Sequence, residues 1–319
     1  MSIRNLDSLF DPASVAVIGA SQRPGSVGAT VWRNLHGSYR GALYPVNPKL
    51  TELDGVPVAA SVAALAHAPE LAVICTPAAT VPGLIGELGA RGTRAAVVIT
   101  AGLDASQKQA VLDAARPHLL RVLGPNCIGL VSPHIGLNAS FAHLGAAAGD
   151  IAFVSQSGAL MTALLDWAHA RKIGFSHFAS LGESADVDFG DMLDYLASDA
   201  KTRAILMYVE SVSSPRKFMS AARAAARNKP VILVKAGRSS AGQAAARSHT
   251  GALAGSDLVF DAAVSRAGML RVDTLLELFL AAETLARFRG RVLGADPDEH
   301  LSRVFVLTNG GGAGVMAAD

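Results

Sequence analysis

The sequence predicts an α/β protein built on two doubly wound parallel sheets, and three observations predict it. From Ser14 onward short apolar runs alternate with Ala- and Leu-rich amphipathic stretches, Gly or Pro turns separate them, and most of the runs are nearly continuously apolar. Strands of that kind are buried on both faces, which is what a parallel sheet covered by helices requires. Composition agrees: half of the 319 residues are hydrophobic but only 5% are aromatic, so Ala, Val, Leu and Ile supply the apolar mass beside 31 glycines. At about 150 residues per domain the length fits two domains and part of a third.

In chain order the first strands are VAVIG (15–19), ALYPVN (42–47), LAVICT (71–76), AAVVIT (95–100) and RVLG (121–124), with helices from about Gly28, Val62, Val81 and Ser106. They form a first domain over 1–130. A loop-rich connector, SPHIGLNASFAHLGAAAGD, comes next, without periodicity near 135–149. The rhythm restarts with IAFVS (151–155), FSHFASLG (175–182), AILMYVE (204–210), PVILVKAG (230–237) and MLRV (269–272), joined by helices from Gly158, Asp186, Pro215 and Gly251 and closed by one over 274–287. This second domain is expected over 131–290. Its 238–248 segment is aperiodic, and long loops in compact domains are often functional. GRVLGADPDEHLSR reads as a linker, and RVFVLTNGGGAGVMAAD opens another strand, Gly-rich turn and helix. Residues 291–319 are therefore expected to be a linker and the truncated start of a third α/β domain; a last strand joining the second sheet is the alternative.

A formal charge of +2 provides no strong global field, which argues against nucleic acid or an anionic membrane as partner. Cys75 and Cys127 cannot make a disulfide framework, and MSIRNLDSLFDPAS lacks a basic start and an apolar signal segment, so a cytoplasmic protein is expected. No run approaches the roughly 18 apolar residues of a membrane span. Metal ligation is not expected: no His/Cys/Asp cluster has zinc spacing, and ESADVDFGD (183–191) lacks the glycine and terminal Glu of a calcium loop.

Local anion sites are legible. GASQRPGSVG, from Gly19 to Gly28, lies between a strand and a helix, where glycines let backbone approach a diphosphate and free helix amides point at it. The glycine spacing is looser than the dinucleotide fingerprint, and the second strand ends in PVNPK, with Asn47, Pro48 and Lys49, instead of an acidic ribose selector. Lys49 suits an extra phosphate, or is a solvated loop lysine. CTPA (75–78), TAG (100–102) and GPNCIGL (124–130) end further strands on the same edge, where open parallel sheets bind ligands. Asn126 can bond an amide, and Cys127 reads as a buried, inert thiol. VSQSGAL places Ser155, Ser157 and Gly158 at a second helix start, an anion cradle that local sequence does not separate from an ordinary serine cap. His249 sits among small residues in GRSSAGQAAARSHTGALAG. Glu210, at a strand's carboxyl end, can fix its tautomer and leave the other nitrogen free to attack.

Taken in order, GASQRPGSVG, PVNPK, GPNCIGL, VSQSGAL, DVDFGDMLDYLASDAKTRAILMYVES, KPVILVKAG and SHTGALAG resemble the NDP-forming acyl-CoA synthetases, the superfamily of the succinyl-CoA synthetase alpha subunit, with a similar region in Pat-type protein acetyltransferases. The likeness runs over 8–319. It implies a Rossmann-like CoA-binding domain followed by a flavodoxin-like domain. It implies coenzyme A held by Gly19, Ala20, Ser21, Gly25, Gly28, Asn47, Pro48, Lys49, Thr76, Pro77, Thr100, Gly102 and Asn126. It also implies phosphorylation of His249, orientation of that ring by Glu210, and a phosphate cradle of Ser155, Ser157 and Gly158. A small carboxylic acid, its acyl phosphate and phosphate are the other implied ligands. ATP or GTP with Mg is implied on an ATP-grasp domain or subunit that these residues lack, so turnover by this chain alone is not expected; an oligomer is. Two other readings stand beside this one: a non-catalytic CoA-binding regulatory module, and an NAD(P)-dependent oxidoreductase, which PVNPK disfavours. The acid activated and the choice of ADP or GDP are not legible.

Overall fold

A computed structural model describes residues 3–239, 242, 256–287, 307–309, 312 and 315–316. Met1–Ala286 form one compact unit and Arg287–Asp319 a second; the fold below is that of the first. A single helical turn, α1 (Asp7–Phe10), precedes β1 (Ser14–Ile18), α2 (Val27–His36) and β2 (Ala42–Val46). A small ladder of β3 (Glu52–Leu53) and β4 (Val56–Pro57) leads to β5 (Leu71–Ile74), α3 (Val81–Arg91), β6 (Ala95–Val98), α4 (Ala105–Ala115) and β7 (Arg121–Leu123). The five main strands are parallel in the order β2-β1-β5-β6-β7, with Val17 facing Pro45 on one side and Val73 on the other. Pro45 donates nothing to a ladder, and β2 is the edge strand where that is tolerated. A capping box of Asp104 and Gln107 starts α4, and left-handed Gly92 ends α3.

The second sheet contains β8 (Gly129–Ser132), β9 (Leu137–Ser140), β10 (Ala148–Ser155), β11 (Phe175–Ser180), β12 (Ala204–Val209), β13 (Val231–Lys235) and β14 (Leu270–Val272) in the order β14-β13-β12-β10-β11-β8-β9. Its helices are α5 (Gly158–Arg171), α6 (Phe189–Ser198), α7 (Pro215–Asn228), Asp257–Ala267 and Leu275–Arg287. Numbered along the chain, the five parallel strands of either sheet run 2-1-3-4-5. Each sheet therefore has its topological switch point beside its first strand, the place where open α/β sheets bind ligands.

Three expectations are corrected. The connector is no loop: Gly129–Ser132 and Leu137–Ser140 form an antiparallel hairpin on the β11 edge, so the second sheet is mixed, with five parallel strands. Apolar patterning does not mark it because its strands bury polar side chains, Ser132, Asn138 and Ser140, each satisfied internally; Ser140 Oγ, for example, donates to Asn138 Oδ1 at 2.6 Å. No helix starts at Val62. Only two successive i+3 turns form there, because Pro69 excludes helical backbone at Ala68 and leaves too few residues to nucleate one. The helix expected from Asp186 begins at Phe189, where Asp188 caps it by accepting from Gly190 N at 2.8 Å and Asp191 N at 3.1 Å. The helix expected from Gly251 is described only from Asp257; the 238–248 loop beyond Ser239, apart from Gly242, and the linker and third-domain start at 291–319, apart from six residues, lie outside the described residues.

Candidate functional site

The turn after β1 is set by backbone. Gly19 has φ +90° and donates its N–H to Val46 O at 2.9 Å. Gly28 opens α2 so close to that turn that a Cβ on it would lie 2.0 Å from Gly19 O. Ser26 caps the helix, accepting from Ala29 N at 3.3 Å, and Ser21 Oγ accepts from Arg23 N at 3.0 Å. Gly25, at φ +74°, stands in open space. Asn47 joins the end of β2 to the same turn: its Nδ2 donates to Ala20 O at 2.7 Å and its Oδ1 accepts from Lys49 N at 2.8 Å. Its amide is thus occupied in shaping the loop, while Pro48 and Lys49 are exposed.

The next strand ends are laced together. Thr100 Oγ1 donates to Thr76 O at 2.7 Å, and Asn126 N donates to Thr100 O at 2.9 Å. Thr76 and Thr80 share a hydroxyl bond of 2.8 Å, Pro77 leads into the turn beyond, and Gly102 has φ +81°. Asn126 is left-handed at φ +56° and donates from Nδ2 to Glu183 Oε1 at 3.2 Å. Burial pushes the thiols of Cys75 and Cys127 up to about 12, so neither is a thiolate near neutrality.

In the second sheet β10 runs into α5. Ser157 caps the helix, accepting from Leu160 N at 3.4 Å, and Ser155 braces the cap by accepting from Ser157 N at 3.0 Å and donating to Ser157 O at 2.7 Å. Gly158 is the first helical residue; a Cβ on it would come within 3.3 Å of Ile128. Across the switch point Glu210 follows β12. Gln156 fixes that strand end, its Oε1 accepting from Glu210 N at 2.7 Å and Ser211 N at 2.9 Å. Burial and the adjacent Glu210 carboxylate push the Tyr208 phenol up to about 12, so it stays protonated beside that carboxylate.

These ends meet at a cavity of about 1050 Å³. Thr76, Thr100 and Asn126 line it from the first sheet, and Ser157, Gly158 and Glu210 from the second. Gly19, Ala20, Ser21, Gly25, Gly28, Asn47, Pro48, Lys49, Pro77, Gly102 and Ser155 do not line it: Ser155 is a brace behind the cap, and the others belong to the outer turns of the first sheet. His249 lies outside the described residues. Sequence reading missed Gln156, a Lys108–Glu183 ion pair of 2.8 Å and a His143–Asp166 pair of 2.7 Å, whose Lys108, Glu183 and His143 reach the cavity. Gln156 was legible inside VSQSGAL; the two pairs join residues too distant in sequence to signal each other. Among the described residues no group of three His, Cys, Asp or Glu side chains could hold a metal, and no helix is long and apolar enough to cross a membrane.

The carboxyl ends of two doubly wound sheets, a helix N-terminus and a buried carboxylate thus meet at one cavity, the arrangement of an α/β ligand-binding protein. The CoA binding domain family matches residues 13–133, and the succinyl-CoA ligase like flavodoxin domain family matches residues 148–285. The chain is 41% identical to an ADP-forming acetate–CoA ligase I of Archaeoglobus fulgidus, over 98% of its own length and 45% of that protein's. It is 40% identical to the alpha subunit of the ADP-forming acetate–CoA ligase I of Pyrococcus furiosus, over 99% of its length and 69% of the subunit. The solved structure of acetyl-coenzyme A synthetase 1 from Candidatus Korarchaeum cryptofilum, in complex with phosphate and ADP, superposes with a TM-score of 0.90 at 36% identity, covering 98% of this chain and 67% of that one. The chain belongs to the NDP-forming acyl-CoA synthetase family. It spans less than half of the Archaeoglobus relative and about two thirds of the Pyrococcus subunit.

Proposed function

We propose that this chain is the CoA-binding, phosphoryl-carrying part of an NDP-forming acyl-CoA synthetase, with residues 1–130 as the CoA domain, 131–290 as the phosphohistidine domain and 291–319 as a linker and the start of a third. The observation that carries the reading is the cavity on which the carboxyl ends of both sheets converge. Its volume, about 1050 Å³, suits the thiol-bearing arm of CoA together with a phosphate.

In this reading the CoA phosphates lie along the turn from Gly19 to Gly28, near Lys49, and its thiol arm passes Thr76, Thr100 and Asn126. A phosphate rests on the first-turn amides of α5 at Ser157 and Gly158, which face it with the positive end of the helix dipole. Phospho-His249, its ring oriented by Glu210, gives its phosphoryl group to the carboxylate of a small acid; the N–P bond breaks and the O–P bond of an acyl phosphate forms. The CoA thiol then attacks the acyl carbon. A C–S bond forms, the bond to the phosphate oxygen breaks, the thiol proton passes to solvent and phosphate leaves. His249 is recharged from ATP or GTP, with Mg, on an ATP-grasp domain or partner subunit, in a larger assembly working in the cytoplasm.

The test is a calorimetric titration of the chain with CoA, NAD and NADP in parallel. Saturable binding of CoA without either dinucleotide is the expected result. Binding of NAD or NADP without CoA would leave only the doubly wound fold standing.

A further inference from the structure

The large cavity is short of positive charge. Among the described residues that line it, Lys108 is the single lysine or arginine, while Glu183 and Glu210 bring two carboxylates. His143 lines it too, with its Nε2 engaged by Asp166 at 2.7 Å. A phosphate on the first turn of α5 would meet about half a unit of positive charge from the helix dipole, against those two carboxylates in the same cavity. Holding a group of that charge calls for a full cation.

Lys108 stands at the cavity wall, held by Glu183. Its Nζ donates to Glu183 Oε2 at 2.8 Å, and the other oxygen of that carboxylate accepts from Asn126 Nδ2 at 3.2 Å. The acid is the fixed half of the pair. Glu183 N donates to Pro125 O at 3.0 Å, and Gly182, at φ +56°, approaches the same carbonyl so closely that a Cβ on it would lie 2.3 Å away. The lysine is the movable half: its backbone is locked into α4, where Lys108 N donates to Asp104 O at 2.9 Å, but its ammonium stands on a flexible four-carbon stem. With side-chain exposures of 34% and 30% the pair is open to water, where ion pairs hold weakly and one anion replaces another at little cost. The cradle is close by. Glu183 shares a side pocket of about 40 Å³ with Gln156, the residue before the Ser157 cap, and Asn126 is two residues from Ile128, against which Gly158 packs.

We propose that Lys108 is a phosphate-binding residue of this cavity, parked on Glu183 and transferred to the phosphate, or to the phosphoryl end of an acyl phosphate, seated on the α5 N-terminus. Glu183 then keeps Asn126 as its partner and sets how readily the lysine leaves. The proposal rests on the reading of the large cavity as a CoA and phosphate site.

The experiment is a calorimetric titration of the full chain with inorganic phosphate, and separately with CoA, for the parent and four variants. Lys108→Met should weaken phosphate binding about tenfold or more, and Lys108→Arg, which keeps the charge, should restore it to within a few-fold, separating loss of charge from loss of fold. Glu183→Gln should strengthen phosphate binding a few-fold by releasing the lysine, and that gain should vanish in the double variant Lys108→Met, Glu183→Gln. Opposite effects from the two halves of one ion pair are what a purely structural bridge does not produce. A gain that persists in the double variant would reflect only removal of a repelling carboxylate and would overturn the proposal. So would phosphate affinity that Lys108→Met leaves unmoved, including the case in which CoA affinity falls instead, which would place the lysine on the CoA diphosphate. A parent chain that binds CoA but no phosphate would also overturn it, whereas one that binds neither would overturn the reading beneath it.

Discussion

Asp199, half-buried at the end of α6, is held ionised beside the second sheet. Burial alone would raise its carboxyl, but hydrogen bonds from His177 Nε2 at 3.0 Å and Thr202 Oγ1 at 2.5 Å outweigh that and hold it well below the usual carboxylate range. On the other side of the same ring His177 Nδ1 meets Ser132 Oγ at 2.9 Å, so the network ties the hairpin strand β8 through β11 to the loop before β12. Because the folded-state value is depressed, the stabilisation is present above the ordinary carboxylate range near pH 4 and is lost as the pH falls through the lower folded value. Asp199→Asn should cost about 1–3 kcal/mol at neutral pH. It should also flatten the fall of the urea midpoint between about pH 5 and pH 2; an unchanged acid slope would show that this carboxylate is not what links stability to pH there. None of this was legible in advance, because Ser132 and His177 lie on strands whose pairing the sequence does not state, and Asp199 ends a helix far from both in sequence. Glu210 and Ser157 were legible, since each directly ends a strand or starts a helix and needs no partner to be noticed.

Among the elements, the turn from β1 into α2 is the one whose geometry the sequence carries most completely. Gly28 is there because the helix start and the Gly19 carbonyl occupy nearly the same space, with no room for a methyl group. Gly28→Ala should push α2 off the turn and cost about 1–3 kcal/mol, as overpacking of a tight contact does. In a urea titration the midpoint should fall, and in a CoA titration the affinity should fall with it; a variant normal in both would mean that the close approach does not set this turn. The elements read wrongly had no such local constraint. The amphipathic appearance of 62–68 was outvoted by Pro69, and the hairpin of β8 and β9 was invisible because its inward side chains are polar and find their partners only in the fold.

At the scale of the whole molecule, the 2-1-3-4-5 order was not written in any one motif, but its consequence was. Every ligand-side loop singled out from sequence follows a strand's carboxyl end, and parallel strands place those ends on one edge. What sequence did not reveal is that the two edges face each other. One hydrophobic core runs through both sheets, including Val15 and Val17 of β1 with Leu130 of β8, Ala179 of β11 and Met207 of β12. Polar ties cross the same boundary: Asn34 Nδ2 donates to Ser140 O at 2.8 Å, and Arg121 pairs with Asp186 at 2.9 Å and Asp191 at 3.1 Å. A shared core makes separate unfolding expose apolar surface on both halves at once. A chain ending at Ala286 should therefore melt in one calorimetric transition, with a calorimetric to van't Hoff enthalpy ratio of about 1. A fragment ending at residue 128 should be less stable than the same residues in the longer chain, because it loses β8, β9 and the far side of that core. Two resolved transitions, or a fragment that melts at the temperature of the longer chain, would mean that the cavity is a cleft between independent bodies and that its shape is set by ligand instead of by the fold.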